Sequence, residues 1–225
     1  MDLIFPKHCV SCRKAGDYIC ANCFSYLSFD FAMICLVCNK NSFDGLTHPG
    51  CKSKYAIDGA FCGVAYKGVA KKLIYNFKYK PYLADLKKSL VELFYESIIQ
   101  QEIFQKAYKT RPVLVPIPLH AKRLQKRGYN HAKLLAEGLS EKLNLPVVEI
   151  LQRTRETKSQ FGLKLKDRRE NLRNAFIFNS ECKIIHPNIF LVDDILTTGS
   201  TLLEAARILK KNGAKRVWGL ILARD

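Results

Sequence analysis

The sequence predicts an α/β chain: a parallel sheet with helices on both faces, with a small metal-stapled segment in front of it. Three observations predict this. From about residue 60 onward, apolar runs alternate between strand-like and helical spacing. Seven of the nine cysteines fall in the first 51 residues, six of them as three C-x-x-C pairs. Near the end, an apolar run delivers two acids into a Thr/Gly/Ser turn that opens a helix.

The first element is residues 1–54, short-range, turn-rich and paced by cysteines. Cys9, Cys12, Cys20 and Cys23 offer four thiolates, the donor set of one tetrahedral zinc. Cys35, Cys38 and Cys51 need a fourth ligand, and Lys54 stands where a further C-x-x-C would place a cysteine. His48 supplies one, through His48-Pro-Gly-Cys51. The spacing therefore predicts one or two structural zinc ions, with ligands interleaved between pairs as an open alternative. Unmetallated, reducible cysteines are the other reading. A segment this short can hardly build a core without metal, and a site closed by four ligands leaves no position for substrate. Cys62 and Cys182 lie outside the array and are expected to be packing residues.

The second domain is expected over 55–225. A strand is expected at 60–66, then a helix at 68–77 with Val69, Leu73, Ile74 and Phe77 on one face. After Lys80-Pro81 a longer helix is expected over about 83–108. Val113-Leu-Val-Pro-Ile-Pro118 reads as a buried strand, 119–128 as a basic loop, 130–143 as a helix and 147–151 as a strand. Residues 153–175 are polar, basic and poorly periodic, and a long mobile loop is expected there. A strand at 188–193, a helix at 200–211 stopped by Gly213, and a strand at 216–223 complete the pattern. His120, His131 and His186 form no cluster and are expected on loops or the surface.

Composition limits the partners. The 225 residues are 48% hydrophobic, which excludes wholesale disorder. No apolar run reaches 18 residues, so no membrane insertion is expected. The start MDLIFPKHC has no signal-peptide pattern, which points to the cytoplasm. Lys and Arg number 37 against 20 Asp and Glu, a formal +17. Residues 1–55 carry six basic and four acidic residues; the other 170 hold 31 and 16. A polyanionic partner would thus be drawn mainly by the larger domain.

The sharpest motif runs from Ile189 to Thr201, IFLVDDILTTGST. A hydroxyl- and glycine-rich turn at a helix start presents backbone N–H groups and hydroxyls to a phosphate monoester. The two carboxylates can accept hydrogen bonds from vicinal hydroxyls. Four apolar residues, two acids and TTGST closely resemble the binding motif for phosphoribosyl pyrophosphate (PRPP) in type I phosphoribosyltransferases. The resemblance implies that Asp193 and Asp194 hold the ribose hydroxyls while Thr197, Thr198, Gly199, Ser200 and Thr201 wrap the 5-phosphate. It also implies a five-stranded parallel sheet, a hood drawn from about 60–110, and Mg2+ arriving with PRPP.

Cysteine knuckles joined to this motif are similar to the ComF family of the ComFC type. The likeness extends to Val115-Pro-Ile-Pro118, Arg127-Gly-Tyr-Asn-His-Ala132, Thr157-x-x-Gln160 and Arg169-x-Asn171. It implies a role in natural transformation, handling incoming single-stranded DNA on the cytoplasmic side, peripheral to the inner membrane. Its implied partners are a DNA translocase and an inner-membrane DNA channel. Arg123, Arg127, Gly128 and Asn130 become candidates for the pyrophosphate loop. Lys122, Lys158, Lys164, Arg168 and Arg169 become candidates for a flexible loop or a DNA track. Tyr75-Asn-Phe77-Lys-Tyr79-Lys-Pro-Tyr82 interleaves cations with rings, which suits stacking on single-stranded bases or, alternatively, packing of the hood. The alternative function is an active phosphoribosyltransferase acting on an unidentified base or amine; a third is PRPP binding without turnover. No residue stands out as a catalytic base.

Overall fold

The computed structural model describes residues 7–79, 86–155, 174–181 and 186–225. Its centre is a parallel sheet of four strands: β1 (Gly59–Ala65), β2 (Val113–Pro116), β5 (Asn188–Leu196) and β6 (Arg216–Arg224), in the order β1-β6-β5-β2. These strands are almost wholly buried. That is why they read as near-continuous apolar runs rather than as alternation. A fifth position exists as a single parallel bridge, Val147 to Leu114, held by Leu114 N–H to the Pro146 carbonyl (2.8 Å) and Val148 N–H to the Leu114 carbonyl (2.8 Å). Pro146 cannot donate to a ladder, which keeps this strand rudimentary. The expected strand at 147–151 is therefore corrected. The pairing that follows is a separate antiparallel ribbon, β3 (Leu151–Arg153) with β4 (Phe176–Phe178).

The sheet separates two apolar clusters. On one face α2 (Gly68–Tyr79), α3 (Leu86–Ile99), α4 (Glu102–Tyr108) and α6 (His131–Leu143) pack against Phe61, Phe190, Leu220 and Leu222. On the other, α7 (Ser200–Lys211) lays Leu202, Ala205, Ala206 and Leu209 on Cys62, Val115, Leu191 and Ile221. Neighbouring strand residues go to opposite clusters, as the two-residue period requires. Cys62 is a packing residue, as expected, and burial pushes its thiol up to about 12. Cys182 lies outside the described residues.

Two expected elements differ. The helix anticipated over 83–108 is broken at Gln100–Gln101 into α3 and α4. There the Gln101 side-chain amide donates to the Cys62 carbonyl at 2.9 Å. The break lets Gln101 serve edge strand β1, whose Ala65 N–H also donates to the Ser28 carbonyl. The expected basic loop 119–128 contains helix α5 (Ala121–Arg127). Its composition is strongly helix-forming, His120 Nδ1 accepts from Lys122 N–H, and Gly128 closes it in the left-handed conformation (φ 82°). The 60–110 segment gives β1 to the main sheet and α3 and α4 to its face.

The N-terminal segment is two copies of one device. Cys9 N–H donates to the Lys14 carbonyl and Arg13 N–H to the Cys9 carbonyl; Cys35 N–H donates to Lys40 and Asn39 N–H to Cys35 in the same way. Arg13 (φ 68°) and Asn39 (φ 59°) are both left-handed. Bridges His8–Ala15 and Ile34–Asn41 close each knuckle. Short helical turns, α1 (Ala21–Phe24) and a 3-10 turn (Pro49–Cys51), bring in the second half of each ligand set. Among the described residues, no helix is long and apolar enough to cross a membrane.

Candidate functional site

Topology places the site. From β2 the chain crosses through α6 on one face; from β5 it crosses through α7 on the other. β2 and β5 are neighbours, so the loops leaving their carboxyl ends diverge and open a crevice. Such a switch point is where open α/β sheets hold ligands.

One wall of the crevice is the β5–α7 turn. β5 runs past the two acids to Leu196, beyond its expected end, pairing Asp193 with Ile221 and Leu196 with Arg224. Asp194 N–H donates to Asp193 Oδ1 at 2.9 Å. Burial first, and Asp194 next, push the Asp193 carboxyl up to about 7. Thr197 is exposed, Thr198 and Ser200 share a 2.9 Å hydroxyl contact, and Gly199 caps α7 at φ 70°. Only glycine takes that left-handed position readily. The turn thus faces the crevice with hydroxyls and the positive end of a twelve-residue helix.

The opposite wall holds α5, the loop 128–130 and the start of α6. Asn130 is committed structurally: it caps α6 by accepting from Ala132 N–H and donates to the Ile117 carbonyl at 3.0 Å. Arg127 lies over the Tyr79 ring, 5.3 Å from its centroid. Lys122 is exposed and Arg123 half-buried. Lys158, Lys164, Arg168 and Arg169 lie outside the described residues.

Three participants were not chosen as site residues from the sequence. Lys78, at the end of α2, pairs with Asp194 at 2.9 Å, with both side chains mostly buried. Arg153 lies over Phe176, and its pKa is lowered to about 10 by burial and by Arg123, against the pull of Asp193. It remains charged at neutral pH. Lys78 and Arg153 are thus the cations that act on the acids, with Arg123 acting in turn on Arg153 and Arg127 on His131. The third is His131, a correction: it is 2% exposed rather than on the surface. Its ring meets Phe77 edge-on at 5.2 Å. Burial, with Arg127 and Lys78 helping, lowers its pKa to about 4, so it is neutral. The basic-aromatic stretch also divides. Phe77 is core, whereas Tyr75 and Tyr79 are exposed and lie 4.8 Å apart, beside Arg127. Tyr82 lies outside the described residues.

The ligand sets assemble as two clusters, Cys9/Cys12/Cys20/Cys23 and Cys35/Cys38/His48/Cys51, each with all donor atoms within 4.8 Å of one another. The interleaved alternative is excluded. The donors fit zinc. Within the first cluster Cys9 is lowered to about 6, its burial outweighed by backbone N–H groups, while burial and the neighbouring thiols push Cys23 up to about 12. Four crowded thiols cannot all ionise alone, and a central dication removes that conflict. In the second cluster His48 offers Nδ1, 3.3 Å from Cys38 Sγ, while its Nε2 lies 2.9 Å from the Asn41 carbonyl. A second hydrogen bond of this kind fixes the ring of a metal-bound histidine. A roomier cleft of about 790 Å³, between the first cluster's segment and α3, contains neither acid. Its described lining has Asp44, Glu92 and Glu96 but no basic residue, so it does not suit an anion.

A family model of the phosphoribosyl transferase domain matches residues 96–224, which include both walls of the crevice. The chain belongs to the phosphoribosyl transferase family. The matched region covers β2, β5, β6 and the β5–α7 turn, while β1 and both cysteine knuckles precede it. Among curated proteins, the chain is 43% identical over 119 residues to Competence protein F of Haemophilus influenzae, covering 51% of this chain and 52% of that one. It is 39% identical over 110 residues to DNA utilization protein YhgH of Escherichia coli K12, 48% of each. It is 38% identical over 112 residues to Competence protein ComFC of Bacillus subtilis, 49% of this chain and 43% of that one. The chain thus spans about half the length of the curated relatives it matches.

Proposed function

We propose that the crevice binds Mg2+-PRPP and that the surrounding cationic surface binds single-stranded DNA during DNA uptake. One observation carries the first half: paired carboxylates beside Lys78 and Arg153 share one crevice with an amide-and-hydroxyl turn. Asp193 and Asp194 would accept from the ribose hydroxyls, Thr197–Thr201 would hold the 5-phosphate, and Arg123, Arg127 and Arg153 would face the pyrophosphate with its Mg2+. Lys78 would exchange its hold on Asp194 for the ligand. The DNA half is supported by the exposed Tyr75–Tyr79 pair beside Arg127, and by the names of the competence and DNA utilization relatives. A DNA translocase and a membrane channel are the partners this reading proposes, at the cytoplasmic side of the inner membrane.

The test is anisotropy of a labelled single-stranded oligonucleotide across a salt series, with and without Mg2+-PRPP, beside calorimetry of Mg2+-PRPP. Asp193→Asn with Asp194→Asn should weaken PRPP at least about 100-fold, since two charged hydrogen-bond acceptors are lost. Unchanged affinity refutes the crevice assignment. Tyr79→Ala with Arg127→Ala should weaken DNA binding and flatten its salt slope by about 0.7. An unchanged slope and affinity refute the DNA surface.

The second reading is turnover. Asp193, with its pKa near 7, can give or take a proton at neutral pH. Pyrophosphate release with a base or amine acceptor would establish it.

A further inference from the structure

Leu36 sits between two ligands of the second cluster, Cys35 and Cys38, and is fully buried. Its side chain lies against Gly199, the residue on which the phosphate turn pivots. A Cβ placed on Gly199 would come within 3.0 Å of Leu36 Cδ2 and 3.3 Å of Leu36 Cβ. Leu36 shares its apolar cluster with Leu196 and Leu202, the residues that bracket Thr197–Thr201 on either side. One side chain of the second knuckle therefore backs the turn at Gly199.

The knuckle's shape depends on its ligands. Cys35 and Cys38 would be bonded to one ion, and His48 is anchored to Asn41 in the bridge that closes the same knuckle. Metal bonds on both sides of Leu36 would hold it against Gly199. Within the turn Thr198 and Ser200 share a hydroxyl contact, and Leu203 N–H donates to the Gly199 carbonyl at 2.9 Å to start the helix. What lies behind Gly199 therefore bears on where the turn's amides point. The first knuckle differs at the equivalent place. Val10 packs into the cluster on the other face of the sheet, with α2 and α3.

We propose that the Cys35/Cys38/His48/Cys51 metal site is a positioning element of the phosphate turn, acting through Leu36 on Gly199. A metal ion there and a phosphate monoester in the turn then raise each other's affinity, because coupling between two binding equilibria is reciprocal. The first metal site does not share this coupling. The inference rests on the reading that the turn binds a phosphate.

The test uses the full chain loaded with cobalt(II), whose d–d spectrum separates a four-sulfur site from a three-sulfur, one-nitrogen site. Cobalt is withdrawn by excess EDTA with and without saturating ribose 5-phosphate, whose binding is measured by calorimetry. The three-sulfur, one-nitrogen spectrum should decay about tenfold more slowly with the sugar phosphate, and the four-sulfur spectrum within twofold of its free rate. Equal slowing of both, no slowing of either, or no three-sulfur, one-nitrogen spectrum overturns the proposal. Failure of ribose 5-phosphate to bind removes the phosphate reading itself, and this proposal with it, and calorimetry distinguishes that case. Leu36→Ala should keep both spectra, bind ribose 5-phosphate about tenfold more weakly and lose the protection; a protected variant overturns the role of Leu36. Should Leu36→Ala not fold, the unmodified chain decides.

Discussion

The two cysteine knuckles have nearly the same backbone and lie against opposite faces of one sheet. Both have a left-handed residue after the second cysteine, the same pair of backbone hydrogen bonds and the same closing bridge. The difference lies one residue after the first cysteine: half-buried Val10 in one, fully buried Leu36 in the other. The first knuckle leans on the helical face, where Lys72 also reaches Ser11 at 3.3 Å. The second leans directly on the phosphate turn. A repeated local fold meets different neighbours in its two copies.

The harshest way to break the comparison is to remove the metal from both copies. Structural zinc contributes on the order of 10 kcal/mol per site, so chelation should open residues 7–58 to protease while the sheet persists. Limited proteolysis followed by mass spectrometry reads this, and an uncut segment after chelation refutes a metal-dependent fold.

A finer break truncates one side chain in each knuckle. Leu36→Ala should cost about 3 kcal/mol and Val10→Ala about 1 kcal/mol in denaturant unfolding. Only Leu36→Ala should weaken ribose 5-phosphate. Equal ligand effects would mean that the knuckles are equivalent.

The helical face has its own signature in pH. His131 is depressed from 6.5 to about 4, so the folded state binds fewer protons than the unfolded one across that interval. Its contribution is complete above pH 6.5 and is lost as pH falls toward 4, by up to about 3 kcal/mol. His131→Gln should flatten the stability curve between pH 6.5 and 4; an unchanged slope refutes the buried neutral imidazole.

Asp193 has the opposite sign and the smallest effect. Its folded pKa is raised from 3.8 to about 7, so its contribution is complete below pH 3.8 and is lost as pH rises through 7. Asp193→Asn should stabilise the ligand-free chain at pH 8 by on the order of 1 kcal/mol after solvent screening, while weakening sugar-phosphate binding. A destabilised variant would show that the paired acids are not in conflict.

Much of the site was legible in the sequence because its parts are local. Asp193 to Thr201 lie on one strand–turn–helix, and each ligand set is written in short spacings. His48 was readable as a ligand because Lys54 left the set one short. Arg153 was readable only as one of many basic residues in an expected loop, not as a neighbour of the acids, because it belongs to a ribbon paired across residues 154–175; Lys78 was not readable as a site residue, because its helix lies far away in the chain. His131 was misread because the first residue of a helix, directly after a polar, basic stretch, gives no periodic signal of burial. It is buried by Phe77 and Tyr129, one of them 54 positions earlier. Helix α5 was read as a loop because charge was weighed above helix propensity.

The sequence by itself determined the parallel α/β class, the Cys/His spacings that gather into two clusters and the Thr/Gly/Ser turn after two acids, because periodicity, cysteine spacing and turn chemistry act within a dozen or so residues. Tertiary structure alone decided that β2 and β5 are neighbours, that Lys78 closes on Asp194, and that Leu36 backs Gly199. Those contacts join residues 76 to 163 positions apart across the sheet. Their positions are set by packing and burial, which leave no periodic trace in the chain.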